Sequence, residues 1–579
     1  MKKLSKYVSL GLLSVGLLGS LAACGDSGSK EASSSGKNAD GKYEKTLTID
    51  VFDDLANNMG MSEGWFAEVV KDKFNIEMNL IAPNVAGNGD TLYQTRTSAG
   101  DLGDLIITGQ GERYDELVEA GLLLDASDYY KDMKNIAKFD EAVEKVNEDQ
   151  EGIFGFPTGV STLSATTPSE ALDPTFGAYL RWDLYKEQGY PEIKELEDLL
   201  PVLEKMQQDH PQTDNGKKVY AFSLFSDWDG NMMNAGKQMS CFYGYDELGF
   251  VLAKADGSDY QSILDDDSEY IRSLKIYFDA NQKGMVDPES TTQNYDTLFS
   301  KVQNGQVLFS WWPWLGQSAF NTTTNLNDGK GFMMVPIEGQ KIFSYGAEVY
   351  GGATFIGIGS NAEDPERIAE FIDWLYSPEG AATASSGPEG LTWEIKDDKP
   401  VMTDFGKKAL LDGGSVEVPE EYGSGAYKDG YNQLNISTIL PVDINPETNA
   451  PYDYTMWDSV LAETSNTVQD DWSEHMGGAK TTMEFLEDND QLAVAPGASY
   501  VAPEDGSELS TLRNQCKSTI IEYSWKMVFA KDENEFNSLL KEMQETAEGL
   551  GYQKVLEFDM NNAKDQNEQR VEVAKEFGD

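Results

Sequence analysis

Residues 47–81 read LTIDVFDDLANNMGMSEGWFAEVVKDKFNIEMNLI, and the order of elements in this stretch indicates the class of fold. Its two ends, 47–52 and 76–81, alternate apolar and polar residues and carry β-branched side chains, which predicts two strands. Residues 62–74 predict a helix, because apolar side chains recur there at helical spacing: Trp65, Phe66, Val69, Val70 and Phe74. A strand, a helix and a strand in this order indicate an α/β fold with a mostly parallel sheet covered by helices.

Polar residues follow the strands of this predicted sheet. They are Asp53 and Asp54 after the strand at 47–52, and Gln110, Glu112 and Arg113 after a third apolar strand at 105–108. Because sheets of this kind bind ligands at the carboxyl ends of their strands, we expect these residues to line a binding site. Four of them also have a structural alternative: the aspartates could cap the following helix, and Glu112 and Arg113 could form a surface salt bridge.

The rest of the chain predicts a second large unit. With 579 residues, the chain exceeds what one hydrophobic core usually holds, so two or more lobes are expected. A new series of predicted elements begins after residue 157 and includes a helix at 193–207. Asp364 and Pro365 predict the start of another helix, and Gly549 the end of a helix close to the C-terminus.

The first 23 residues are typical of an export signal. Three lysines and no acidic residue precede an apolar run that stops at Leu21-Ala22-Ala23-Cys24. Leu-Ala-Ala-Cys resembles the lipobox of bacterial lipoproteins, which makes Cys24 the predicted lipidation site, with an ordinary secretory signal as the alternative. Residues 24–44 are rich in Ser, Gly and charge and predict a flexible tether. Both alternatives place the protein outside the cytoplasm.

The chain is strongly acidic, with 45 basic and 100 acidic residues and a net charge of −55. Such a field repels phosphate backbones and anionic lipid headgroups, so nucleic acid is excluded as a partner, and membrane attachment is expected through the lipid alone. It argues more weakly against a strongly anionic ligand, because local charge can differ from the sum.

No catalytic or cofactor motif stands out in the sequence. Only two histidines occur, without His-Glu-x-x-His, and Gly-x-Ser-x-Gly is absent. A pair of glycosidase carboxylates stays open, because such a pair is spatial and not sequential. We therefore predict no catalytic residue, cofactor or metal. Cys241 and Cys516 are left as either one disulfide or two separate buried thiols.

Several stretches in order carry a family resemblance: the lipobox, TLTIDVF at 46–52, AGDLGDLII at 99–107, YLRWDLY at 179–185, NGQVLFSWWPW at 304–314, GGATFIG at 351–357 and LYSPEG at 375–380. Together they resemble the extracellular solute-binding proteins of carbohydrate ABC transporters, in the long lipoprotein branch that serves oligosaccharide importers. No single motif is specific, but their order and spacing are.

This resemblance implies a two-lobe periplasmic-binding-protein-like fold of type II, with a hinge and an interlobe cleft that closes on a sugar. Segments would cross between lobes near 154–159, near 350–353 and between 390 and 399. The first lobe would then comprise 45–156 and 354–395, and the second lobe 157–353 and 396–579. The stretch 396–502 would be an insertion of unassigned packing.

The tryptophan stretch GQVLFSWWPWLGQS at 305–318 is the best candidate for sugar contact. A pyranose presents an apolar face and a rim of hydroxyls, so it needs aromatic platforms beside hydrogen-bonding groups. In similar proteins the tryptophan directly after the proline stacks on sugar, which transfers to Trp314. Pro313 should end a strand there. Trp311 is a further candidate, and Trp312 a weaker one because neighbours on an extended chain point to opposite faces. Burial in the core is the alternative.

Four other residues complete the predicted ligand-binding set. Trp228 lies in an acidic loop, and three more residues flank glycines toward the cleft: Tyr243, Glu348 and Tyr350. Some relatives carry a calcium loop just after the equivalent of His210. Here residues 213–218 read TDNGKK, with lysines where oxygen ligands would stand, so no calcium is expected.

The function implied by the resemblance is capture of an oligosaccharide and delivery to the permease subunits of an ABC importer. We expect a monomer that makes no covalent bond itself, lipid-anchored on the outer face of the cell membrane of a Gram-positive bacterium. Alternatives from other classes are a secreted glycan-degrading enzyme, a peptide carrier and a sensory lipoprotein that feeds a membrane kinase.

Overall fold

The computed structural model of the chain describes residues 37–38, 41–83, 85, 89–411, 413–503 and 505–578. The predicted export signal 1–23, the predicted lipidation site Cys24 and most of the predicted tether lie outside these residues. None of the described helices is long and apolar enough to cross a membrane.

The described strands are, in chain order, β1 (Leu47–Asp53), β2 (Gly60–Met61), β3 (Ile76–Ile81), β4 (Leu105–Gly109), β5 (Phe156–Pro157), β6 (Tyr179–Arg181), β7 (Tyr245–Leu248), β8 (Val251–Lys254), β9 (Tyr260–Ser262), β10 (Phe309–Ser310), β11 (Phe332–Met334), β12 (Ile342–Tyr345), β13 (Thr354–Ile358), β14 (Trp393–Lys396), β15 (Lys399–Met402), β16 (Ile444–Asn445), β17 (Ala450–Pro451) and β18 (Leu492–Ala495).

The described helices are α1 (Trp65–Phe74), α2 (Gly89–Ala99), α3 (Glu112–Glu119), α4 (Ser127–Tyr130), α5 (Asp140–Val146), α6 (Trp182–Glu187), α7 (Leu199–Asp209), α8 (Asn234–Ser240), α9 (Glu269–Gln282), α10 (Tyr295–Gln303), α11 (Pro313–Phe320), α12 (Thr323–Asn327), α13 (Pro365–Leu375), α14 (Pro378–Ser386), α15 (Asp404–Gly406), α16 (Asp458–Thr464), α17 (Thr467–His475), α18 (Thr482–Asp488), α19 (Ser507–Val528), α20 (Glu533–Gly549) and α21 (Tyr552–Phe577).

The first lobe is built on a six-stranded sheet in the order β2-β3-β1-β4-β13-β5. Strand β1 pairs in parallel with both β3 and β4, which confirms the predicted strand, helix, strand unit. Strand β13 arrives from much later in the chain and pairs antiparallel with β4 and β5, so the lobe is discontinuous as expected. Alternation along β1 turns Ile49 and Val51 into the core, where they are fully buried.

Helices α1 and α13 pack in the same core as this sheet. Asp364 caps α13 by accepting a hydrogen bond from the backbone of Arg367, and Pro365 occupies its first turn, as the sequence predicted. Helix α1 ends at Asn75, which adopts a left-handed conformation with φ 50°.

The second lobe has its own core, formed by residues from 176 to 343 and from 468 to 555. Its three-stranded sheet has the order β10-β6-β11, with β6 antiparallel to both neighbours. Helices α19, α20 and α21 pack against one another and against this body. The two cysteines of this lobe are free and buried, which resolves the open alternative in favour of separate thiols.

The segment 397–460 belongs to the first lobe, which corrects the assignment of all of 396–579 to the second lobe. Its apolar residues lie in the first core, including Tyr427, Leu434, Tyr452 and Trp457. Tyr427 stacks on Trp65 of α1, with 5.0 Å between ring centroids. Because the chain joins the second core only at Val468, the third crossing lies near 461–467, about seventy residues later than expected.

The end of the predicted tether also packs on the first lobe. Tyr43 is buried, its hydroxyl donates a hydrogen bond to Glu370, and Arg367 lies over its ring at 4.0 Å. Lys37 forms an ion pair with the same glutamate at 2.7 Å. The described residues of the tether are therefore attached to α13, contrary to the expectation of a free chain up to residue 44.

Candidate functional site

The first two crossing segments run side by side at the base of the space between the lobes. The backbone N–H of Gly352 donates to Thr158 at 2.7 Å, and that of Thr158 donates to Thr354 at 3.1 Å. Gly351 adopts φ 85° there, and a Cβ on it would lie 2.7 Å from the Cβ of Pro157. Only glycine fits this backbone conformation without strain.

The first lobe carries a polar cluster at the ends of β1 and β4. Arg113 donates to Asp54 at 2.8 Å, and the hydroxyl of Thr108 donates to the same carboxylate oxygen. The guanidinium of Arg113 lies 4.3 Å from the centre of the Tyr93 ring. The structure thus brings together Asp54 and Arg113, two of the predicted residues, although they are 59 positions apart.

Asp53 has a different role from its neighbour. It is fully buried, and one carboxyl oxygen accepts the backbone N–H groups of Leu55 and Ala56 at 2.8 and 3.1 Å. The other oxygen has no hydrogen-bond partner among the described residues. Burial raises the pKa of Asp53 to about 7. Asp53 therefore shapes its own turn, and Gly64, not either aspartate, precedes α1.

Gln110 holds the second crossing segment to the first lobe. Its side-chain amide donates to the backbone oxygens of Gly352 and Thr354 at 2.7 and 3.2 Å. Glu112 is exposed at the first position of α3. Gln110 therefore belongs to the hinge in this structure.

An aromatic cluster lies on the second lobe; it consists of Trp228, Tyr295, Trp312 and Trp314. Trp314 stacks on Trp312 with 4.5 Å between centroids, and Trp228 stacks on Tyr295 at 4.7 Å. The two pairs meet where Trp228 and Trp314 approach to 5.8 Å. Trp228 is 46% exposed and Trp314 is 37% exposed, so each keeps a free face.

Trp311 and Trp312 are buried, which corrects the prediction that Trp311 contacts ligand. Trp311 donates its indole N–H to the hydroxyl of Tyr277 at 2.6 Å inside the core. Trp312 donates to the side-chain oxygen of Gln238 at 3.1 Å and supports Trp314 from behind. The strand ends earlier than expected, at Ser310, because Pro313 begins α11 at the position that proline favours.

Tyr243 does not join the aromatic cluster. Its hydroxyl accepts the backbone N–H of Leu196 at 3.1 Å and donates to Glu195 at 3.3 Å. Its ring is covered by the guanidinium of Arg272 at 4.5 Å. These contacts occupy the groups that a sugar would need, so the structure does not support its predicted ligand contact.

Glu348 and Tyr350 lie at the second crossing, as placed from sequence, but their partners are protein groups. One oxygen of Glu348 accepts both the N–H and the hydroxyl of Ser499, at 2.7 and 2.9 Å. Burial raises the pKa of Glu348. The ring of Tyr350 meets that of Phe577 edge-on at 5.5 Å.

Sequence reasoning did not identify another polar group, which lies on the second lobe. Lys237 forms an ion pair with Asp246 at 2.8 Å, and the hydroxyl of Tyr345 donates to the other oxygen of Asp246 at 2.9 Å. Tyr345 is 36% exposed, and its ring lies 6.3 Å from that of Phe176. Burial disfavours the charged form of both Lys237 and Asp246, but each charge stabilises the other. The net result is a raised pKa for Lys237 and a lowered pKa for Asp246.

Helix α8 joins this group to the aromatic cluster, because Lys237 binds Asp246 and the next residue, Gln238, binds Trp312. One sequence signal could have found Tyr345: it ends strand β12, as Asp53 ends β1. On the first lobe, Tyr431 is another exposed ring that lay hidden in the unassigned insertion; it is 46% exposed and packs beside Trp65.

The third crossing adds an interlobe cavity of about 320 Å³. It is lined by Asp458 of the first lobe and by Gln317 and Thr482 of the second lobe, among others. Gln317 lies one turn after Trp314 on α11, so the cavity borders the aromatic cluster.

The cleft offers stacking faces and hydrogen-bonding groups. Within the described part of the chain, no group of three or more His, Cys, Asp and Glu side chains is arranged to hold a metal ion. Near the former calcium candidate, Asp214 forms an ion pair with Lys330 at 2.9 Å. The arrangement suits a ligand that combines apolar faces with many hydroxyls.

Comparison with solved structures finds the same fold in sugar-related proteins. FusA of S. pneumoniae, an ABC-transporter substrate-binding protein in complex with kestose, matches with a TM-score of 0.58 at 14% identity over 91% of this chain and 100% of its own. An HMO-binding, ABC-transporter-associated solute-binding protein of Bifidobacterium longum infantis matches with a TM-score of 0.57 at 13% identity, over 90% of this chain and 99% of its own.

A third structure, the N-glycan transport solute-binding protein NgtS of Streptococcus pneumoniae, matches with a TM-score of 0.52 at 14% identity, over 92% of this chain and 99% of its own. No curated protein sequence matches the chain. The family model of bacterial extracellular solute-binding proteins matches residues 63–382, which is more than half of the chain. The chain therefore belongs to the bacterial extracellular solute-binding proteins.

Proposed function

We propose that this protein binds an oligosaccharide between its two lobes and delivers it to the permease of an ABC importer, without catalysing a reaction. Ligand contacts to both lobes would favour a closed form, and the closed form would be the one that docks on the permease. We propose further that the protein acts as a monomer, anchored through a lipid on Cys24 to the outer face of the cell membrane of a Gram-positive bacterium.

The observation that carries this proposal is the aromatic cluster with two exposed tryptophan faces. Trp228 and Trp314 are half-exposed but held from behind by Tyr295 and Trp312, so their ring planes are fixed before any ligand arrives. A rigid aromatic face loses little conformational entropy when a pyranose stacks on it. Each lobe also supplies polar groups that could bind the hydroxyls of a sugar: Asp54 and Arg113 on the first lobe, and Asp246 and Tyr345 on the second.

The structural relatives also support a sugar as the ligand and transport as the role. The three structural relatives are described as binders or transporters of HMO, kestose and N-glycan, and two are named with ABC transporters.

Calorimetric titration of the chain from residue 37 onward against a panel of oligosaccharides tests this function. The panel should include plant, host and α-glucan oligosaccharides together with short peptides, and each mixture should be checked afterwards for cleavage. We expect saturable binding to one class of glycan, with the sugar recovered intact.

The other outcomes separate the alternatives. Binding followed by hydrolysis would identify a glycan-degrading enzyme, and binding of peptides alone would identify a peptide carrier. A strain that lacks the protein then separates transport from sensing, because loss of uptake supports delivery, whereas unchanged uptake with lost induction would identify a sensor.

A further inference from the structure

Arg570 is a buried cation for which the described residues supply no hydrogen-bond or ion-pair partner. It lies on the inner face of α21, is 9% exposed, and makes no hydrogen bond or ion pair with any residue that the structure describes. Its recorded contact is with the ring of Phe343, 5.9 Å from the guanidinium carbon. Leaving a buried guanidinium unpaired costs free energy, so this arrangement calls for a group that the described chain does not supply.

The two carboxylates that most influence the charge of Arg570 are already engaged elsewhere. Both oxygens of Asp246 are taken, one by Lys237 and the other by Tyr345. Glu348 accepts two hydrogen bonds from Ser499. Neither acid lies within ion-pair distance of Arg570, although both influence its charge through space. Burial lowers the pKa of Arg570, and these acids oppose that shift only in part.

Arg570 lies beside the cleft and not on the outer surface. Phe343, which it contacts, is two residues before Tyr345 at the end of β12, where the chain enters the second crossing. Tyr345 keeps 36% of its surface exposed and donates its hydroxyl to Asp246, in the polar group that helix α8 joins to the aromatic cluster. One turn further along α21, Val573 packs with Ala165 and Ala498 beside the first and second crossings.

We infer that Arg570 receives the carboxylate of an acidic saccharide, whose ring lies against Tyr345. The inference rests on the proposed function and narrows it to sugars that carry a carboxyl group, such as uronates or sialates. A guanidinium presents two parallel N–H groups that match a carboxylate, whereas a neutral hydroxyl would leave its charge uncompensated. The net charge of −55 argues against such a ligand for the whole surface, so the contact depends on the positive charge of Arg570 itself.

The test uses the full chain, purified in detergent, on an array of acidic and neutral oligosaccharides. The array should include trigalacturonate beside its methyl ester, and 3′-sialyllactose beside lactose, because each pair differs at the carboxylate. We expect binding to acidic glycans, with at least tenfold weaker binding of the neutral partner. Binding confined to neutral glycans overturns the inference and leaves the proposed function intact, whereas absence of binding to every glycan overturns both.

Variants locate the effect at Arg570. Arg570→Gln should weaken binding of the acidic glycan at least tenfold and remove its preference over the neutral partner, and Arg570→Lys should restore part of that preference. Lys564→Gln is the matched control, because it removes the same charge from an exposed position on the same helix. Acetate and sulfate alone serve as further probes. The inference is wrong if acetate or sulfate competes with the glycan no better in wild type than in Arg570→Gln. It is also wrong if Arg570→Gln still prefers the acidic glycan over its neutral partner.

Discussion

At the scale of single residues, the free face of Trp314 is the surface on which the proposed sugar contact depends. Trp314→Ala should weaken oligosaccharide binding by about 1–3 kcal/mol, because it removes a stacking face and the apolar area that a pyranose would cover. Calorimetric titration with the glycan that wild type binds measures this loss.

Tyr220→Ala is the control for that variant. Tyr220 is also partly exposed on the second lobe, but its ring carries Lys218 at 4.5 Å instead of another aromatic ring. The control should leave affinity unchanged. Equal affinities of wild type and Trp314→Ala, with both folded, would remove Trp314 from the site.

Asp53 makes stability depend on pH. Its pKa is raised by burial to about 7 in the folded protein, whereas an unfolded aspartate titrates near 4. Folding therefore takes up a proton between these values, so the free energy of unfolding should fall as pH rises from about 4 to about 7, by about 4 kcal/mol in total at the limit.

Asp53→Asn separates this effect from other titrations. The asparagine keeps an oxygen for the N–H groups of Leu55 and Ala56 but has no charge to bury. Urea unfolding between pH 5 and pH 8 should show a flatter pH profile for the variant and higher stability at pH 8. Parallel profiles for variant and wild type would show that Asp53 is not the group responsible.

The site could be predicted from sequence only where a residue's position follows from its element. Sequence predicts that Asp54 and Arg113 lie together because they follow strands of one sheet, and parallel strands end at the same edge. The burial of Trp311 does not follow from sequence, because alternation along an extended chain ceases to apply once Pro313 starts a helix. Arg570 could not be predicted from sequence, because the sequence of a 26-residue helix does not show which of its charged side chains is buried without a partner.

At the scale of elements, the packing of α1 against the segment 397–460 holds the first lobe together. Tyr427→Ala should lower the free energy of unfolding by about 3–5 kcal/mol, because it leaves a cavity beside Trp65 in a well-packed core. Tyr427→Phe is the matched control: the buried hydroxyl has no partner among the described residues, so removing it should leave stability equal or slightly higher.

Chemical unfolding, followed by tryptophan fluorescence, measures both variants. If Tyr427→Ala were as stable as wild type, the segment would not belong to the first core. The packing of 397–460 on the first lobe could not be predicted from the sequence, for a physical reason. Residues 397–460 have little periodicity, and their contacts with α1 span more than 350 positions. The strand, helix, strand unit at 47–81 was predictable because its pattern is local.

At the scale of the whole molecule, Gly351 is where the crossing segments pass closest. Gly351→Ala should cost about 1–3 kcal/mol of stability, because its φ of 85° and the nearby Pro157 leave no strain-free place for a Cβ. Gly549→Ala, at an open position at the end of α20, is the control and should be neutral or stabilising. Thermal unfolding of both variants and of wild type measures these effects. A melting temperature of Gly351→Ala equal to that of wild type would argue against a tightly packed crossing.

The central claim is that one oligosaccharide is held by both lobes and closes them. Small-angle X-ray scattering of the chain from residue 37 onward, with and without a saturating glycan identified by calorimetry, tests this most directly. We predict a smaller radius of gyration with the glycan, and no change when Trp314→Ala is mixed with the same glycan at a concentration that saturates only wild type. An unchanged radius of gyration in wild type at full saturation would contradict capture by closure.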